Sequence, residues 1–140
     1  MRLRQFMHSP VCACSPTTTL SIAAREMETH NVGSLVVTDE GDKVVGIITD
    51  RDLALCLAHG HGADTPVERV MSRNVVTVAD DADLDEAAAG MDTRGVRRLP
   101  VIDEEGRAIG VISLDDLYYH LTQETITLAG AARAQRAVRA

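Results

Sequence analysis

A chain of 140 residues with 45% hydrophobic and 25% charged residues carries enough apolar material for a packed core, which excludes a disordered polypeptide. With 14 basic against 21 acidic residues the formal net charge is −7, and aromatics are 2% with no Trp, so neither a basic phosphate-tracking surface nor a stacking platform is present and nucleic-acid binding is not expected. No stretch approaches the ~20 apolar residues needed to span a bilayer, and the arginines at Arg2 and Arg4 are followed by no signal-peptide core, so a cytoplasmic protein with no membrane partner is expected.

In chain order, residues 11–14 read as a lead strand, and Leu20, Ala23, Ala24 and Met27 then fall at the i, i+3, i+4, i+7 spacing of one helical face. Leu35-Val36-Val37 is a short buried-strand run, Asp39-Glu40-Gly41-Asp42 a turn, and residues 44–48 the next strand. A closing helix starts near Asp52-Leu53. Residues 59–66, polar and marked by Gly60, Gly62 and Pro66, form a linker. The series then returns: a lead strand over 75–78, a helix with Leu84, Ala87, Ala88 and Met91 on one face, strands at Leu99-Pro100-Val101-Ile102 and over 108–112, and a helix from near Asp116-Leu117.

The return is an internal repeat. Residues 6–53 align with 70–117 without a gap at a constant offset of 64, from Met7/Met71 to Asp52/Asp116, and 16 of the 48 aligned positions are identical. The chain is thus two tandem β-α-β-β-α units, an α/β (α+β) fold, with units over 1–58 and 67–120, the linker over 59–66, and a helical tail over 121–140 rich in Ala and Arg. Neither unit can cover its own sheet, so the two are expected to pack face to face about a pseudo-twofold axis.

Asp80, Asp81, Asp83, Asp85 and Glu86 gather at the start of the second repeat's first helix, where the helix dipole favours negative charge, and need no metal to explain them. Cys12, Cys14 and Cys56 are an odd set. Cys12-Ala13-Cys14 is awkward for a mutual disulfide, and Cys56, His59 and His61 lack a zinc-ligand spacing, so no metal site is expected.

The chemistry concentrates in Gly46-Ile47-Ile48-Thr49-Asp50-Arg51-Asp52 and its copy Gly110-Val111-Ile112-Ser113-Leu114-Asp115-Asp116. A hydroxyl three residues before an Asp at a strand-to-helix junction is either a helix cap or one wall of an anion and diol site. Free N–H groups at the helix start attract an anion, and an ionised carboxylate can accept from two ribose hydroxyls. The glycine leaves room for a ligand or a backbone. The same arrangement in both copies, beside the same Gly, favours a site over a cap alone.

This pattern, with a helix and an "LPV"-type strand before it in two copies, resembles the cystathionine-β-synthase (CBS) domain pair, of the stand-alone bacterial or archaeal type, over about residues 6–120. The resemblance implies a disc-like module whose clefts bind AMP, ADP, ATP or S-adenosylmethionine as regulatory ligands, with no required cofactor, and which pairs into a homodimer to signal to an unnamed protein partner. It implies that Asp52 and Asp116 hold ribose hydroxyls, that Thr49 and Ser113 face phosphate or ribose, and that the backbone around Val11-Cys12 and Val75-Val76 meets adenine. The copies differ where Val32-Gly33-Ser34 faces Val96-Arg97-Arg98, so unequal clefts are expected, with Arg97 or Arg98 meeting the phosphate of the better-occupied one. No nucleophile–base pair, P-loop or dinucleotide fingerprint is present, so no enzyme is expected. The competing reading is a ligand-free interaction protein whose Cys12 and Cys14 respond to oxidation or metal.

Overall fold

The computed structural model describes residues 2–139. The first unit runs β1 (Ala13–Cys14), α1 (Leu20–His30), β2 (Ser34–Thr38), β3 (Val44–Thr49) and α2 (Asp50–Ala58). The second runs β4 (Val78–Ala79), α3 (Leu84–Arg94), β5 (Arg98–Ile102), β6 (Ala108–Ser113) and α4 (Leu114–Arg139). This is the expected β-α-β-β-α order in a mixed α/β fold. Both closing helices begin two residues before the expected position, because Thr49 and Ser113, rather than the aspartates, stand at the junction.

Each lead strand lies parallel to the strand that follows its helix, in register Ala13↔Val36 and Val78↔Val101. Parallel neighbours need a crossover, and α1 and α3 supply it. Those middle strands then pair antiparallel with β3 and β6, giving the orders β1-β2-β3 and β4-β5-β6. Thr19 caps α1 by accepting from the N–H of Ile22, and Asp83 caps α3 by accepting from that of Glu86. Asn31 and Gly95 end the two helices in the left-handed region, at φ 51° and 62°. Leu20, Ala23 and Met27 are buried as the spacing required, whereas Ala24 and Ala88 are exposed.

The cores show something the repeat pattern hid. Leu3 is fully buried among Val78, Met91, Leu99 and Ile112 of the second unit. Val67, its repeat partner, is fully buried among Leu20, Leu35 and Ile48 of the first. Each unit's leading segment therefore belongs to the other unit's core. Backbone bonding agrees: His8 exchanges both bonds with Val111 beside β6, and Ser72 does the same with Ile47 beside β3. Arg4 reaches the buried Asp80 as an ion pair, which adds a second role to the acidic cluster.

Gly46 and Gly110 are explained by this exchange. A Cβ on Gly110 would lie 2.7 Å from the His8 carbonyl oxygen, and one on Gly46 would run into Met71 Sδ and lie 3.0 Å from the Ser72 carbonyl oxygen. Of the two expected reasons for these glycines, close approach of a backbone is the one realised. The units also meet where Lys43 bridges Arg107, its own repeat partner, so the pseudo-twofold axis passes between these residues. No described helix is long and apolar enough to cross a membrane.

Candidate functional site

Two clefts open between the units, and each takes residues from both. The smaller, about 240 Å³, has Thr49, Arg51 and Asp52 on one wall and Val75, Val76, Arg97 and Arg98 on the other. The larger, about 410 Å³, sets Ser113 and Asp115 against Cys12, Gly33 and Ser34. Val11 lies in an adjoining cavity of about 390 Å³ that shares Pro10, Cys12 and Val32 with the larger cleft. The repeat thus builds the same wall twice: Ile47/Val111, Thr49/Ser113, Arg51/Asp115 and Val76/Cys12 occupy matching places.

The hydroxyl–aspartate pairs are caps in both copies. The Thr49 N–H donates to Asp52 Oδ2 at 2.9 Å, and the Asp52 N–H donates to Thr49 Oγ1 at 3.1 Å. Likewise the Ser113 N–H donates to Asp116 Oδ2 at 2.8 Å and the Asp116 N–H to Ser113 Oγ at 3.1 Å, while Ser113 Oγ donates to Asp116 Oδ2. Cap and wall are compatible rather than alternatives. The cap uses one carboxylate oxygen and fixes the side chain, which leaves the second oxygen available to another partner.

The copies diverge in the second oxygen. Asp116 Oδ1 is 3.0 Å from His8 Nε2, with the imidazole largely in solvent and the carboxylate mostly covered. Ser72 stands at the matching position in the smaller cleft. Asp52 lines its cleft, whereas Asp116 is absent from the wall of the larger one.

Arg97 and Arg98, on which the expectation of unequal clefts rested, both line both clefts. The physical reason is their place beside the axis, at the start of β5. Arg98 reaches over Gly33 so closely that a Cβ there would lie 2.7 Å from its Nη2. Arg97 Nη2 is 3.5 Å from Asp115 Oδ1. The larger cleft sets the two arginines against Asp115, with His8 and His30 beside them, and the smaller adds Arg51 against Asp52, so guanidinium groups outnumber carboxylates in each. His8, Ser72, Pro10 and Asn74 were missed by sequence reasoning. The alignment contained all four, but nothing in it said that the leading segments cross to the other unit.

The three cysteines are free thiols. Burial pushes the Cys14 and Cys56 thiols up, which lowers their thiolate fraction and their reactivity. Among the described residues no group of three or more His, Cys, Asp or Glu converges as a metal site.

The family model for the CBS domain matches residues 3–59 and again 67–122. The chain belongs to the CBS-domain family. It is 39% identical over 116 residues to an uncharacterised 17.7 kDa protein of Acidianus ambivalens, covering 83% of this chain and 70% of that one. It is 36% identical over 116 residues to the CBS domain-containing protein YhcV of Bacillus subtilis, covering 82% and 81%. The chain spans from 54% to 81% of the first three curated relatives it matches, and 21% to 23% of the four longer proteins that follow them. Among solved structures it resembles the CBS domain pair of protein MJ0100 in complex with 5′-methylthioadenosine and S-adenosylmethionine. That match has a TM-score of 0.81 at 27% identity and covers 89% of this chain and 98% of that one. It also resembles hypoxic response protein I with two coordinated zinc ions, with a TM-score of 0.76 at 30% identity, covering 86% and 98%.

Proposed function

We propose that this CBS pair is a regulatory module that binds an adenosyl ligand in the clefts between its units, rather than an enzyme. The observation that carries the reading is the twofold recurrence of one wall: a strand-end hydroxyl bonded to a capping aspartate, an apolar Val or Cys step, and a shared arginine pair. The capped aspartate offers a fixed acceptor for a ribose diol, Val75-Val76 and Val11-Cys12 offer apolar flanks for a purine, and Arg97 and Arg98 meet a phosphate. The neighbouring pair of protein MJ0100, with its two adenosyl ligands, supports the same class here. The Ser113 hydroxyl is tied to Asp116 within a helix cap, and no other nucleophile–base hydrogen bond lies along either cleft among the described residues, which supports regulation over turnover.

Signalling is proposed to run through a second copy of the chain and an as yet unnamed partner, in the cytoplasm. Leu57 on α2 and Tyr118, Tyr119, Ile126 and Leu128 on α4 are exposed apolar side chains that a homodimer would cover. The experiment is thermal shift and calorimetry with AMP, ADP, ATP, S-adenosylmethionine and 5′-methylthioadenosine. A ligand at a hundredfold excess over Kd stabilises the fold by about 2.7 kcal/mol. Asp52→Asn keeps a cap acceptor yet weakens ribose binding, so its ligand-induced shift is expected to shrink while its unliganded melting stays near that of the parent. No stabilisation by any of the five would refute the proposal.

A further inference from the structure

Position by position, the wall of the smaller cleft has its repeat partner in the larger cleft or the cavity that adjoins it, with one exception. Asp52 is in its wall, and Asp116 is not. The residue over Asp116 is His8, from the exchanged leading segment, with Nε2 3.0 Å from Oδ1. The other oxygen, Oδ2, accepts from Ser113. Asp116 therefore has both oxygens engaged, whereas the described side-chain bonding of Asp52 uses Oδ2 alone.

We propose that His8 is a latch on Asp116 that sets ligand selectivity in the larger cleft. The inference rests on the adenosyl-ligand reading. With His8 on Oδ1 and the carboxylate mostly covered, a ribose diol competes with the imidazole for Asp116. A ligand with an anionic 5′ group compensates, because the released imidazole joins His30, Arg97 and Arg98, which line the same cleft. A ligand with a neutral 5′ group leaves His8 without a new partner. The latch therefore favours 5′-phosphorylated over uncharged adenosines. Its pairing is largely solvent-exposed, so it opens at modest cost and acts as a filter rather than a block.

The test is calorimetry with AMP and 5′-methylthioadenosine on the full chain. Asp52→Ala serves as the background that leaves the larger cleft, and Asp116→Ala as the background that leaves the smaller. In the first background, His8→Ser is expected to tighten 5′-methylthioadenosine about two- to fivefold, the scale of one solvent-exposed hydrogen bond, and to lower the preference for AMP. In the second, Ser72→His is expected to build a latch over Asp52 and weaken 5′-methylthioadenosine by a similar factor. His8 pairs with Val111 through its backbone, so both exchanges leave the strand bridge in place. The ligand-free readout is the His8 ring resonance, expected to move on Asp116→Asn. If the probes bind but neither exchange alters their ratio, the latch is wrong and the adenosyl reading stands. If no probe binds any variant, the adenosyl reading fails and the latch fails with it.

Discussion

The two units are copies in sequence, yet their clefts are not copies in chemistry, and the difference arises from the segments they exchange. In the smaller cleft the incoming segment brings Ser72 and Asn74, and Asp52 faces the opening. In the larger it brings His8 and Pro10, and Asp116 is covered. Duplication preserved the cap that aims each aspartate, because the cap also starts a helix. It did not preserve the residue opposite, which carries no such duty.

The comparison breaks most visibly in the core. Leu3→Ala opens a cavity in the second unit and is expected to cost about 3 kcal/mol, while Val67→Ala removes fewer carbons from the first and costs less. Urea unfolding of both variants measures this. Equal and negligible losses would mean that the leading segments are not integral to the opposite cores.

The glycines sharpen the same point at about 2 kcal/mol, the scale of overpacking. Gly110→Ala is expected to destabilise more than Gly46→Ala. Its Cβ meets the His8 backbone carbonyl at 2.7 Å, whereas the nearest atom to a Cβ on Gly46 is the sulfur of a flexible methionine. Calorimetric melting, with proteolysis of the amino-terminal segment as a second readout, ranks the two.

Caps come next. Thr49→Ala and Ser113→Ala each lose an N-cap and are expected to cost about 1 kcal/mol by denaturant titration. A large disparity would show that one hydroxyl does more than cap.

The smallest effect lies in the turns. Asp103 is partly desolvated, which raises its pKa, but hydrogen bonds from the Arg107 backbone and guanidinium, with further help from the Glu105 N–H, outweigh this and hold the carboxyl below its ordinary value. A depressed folded-state pKa contributes stability that is present above the ordinary carboxylate value and lost as pH falls through the lowered one. Asp103→Asn is expected to flatten that acid limb slightly in melting temperature against pH.

Much of this was legible in the residues. The constant 64-residue offset, the helical faces of Leu20/Met27 and Leu84/Met91, and the junctions at Thr49 and Ser113 define the unit and its recurrence. Local spacing encodes them, because hydrophobic period and capping chemistry act within a few residues. Tertiary structure alone decided which unit each leading segment joins, that Arg97 and Arg98 serve both clefts, and that His8 lies on Asp116, 108 residues away. Contacts at such separation depend on how two nearly identical surfaces dock. A repeat in sequence specifies the surfaces twice but leaves unsaid which segment crosses between them.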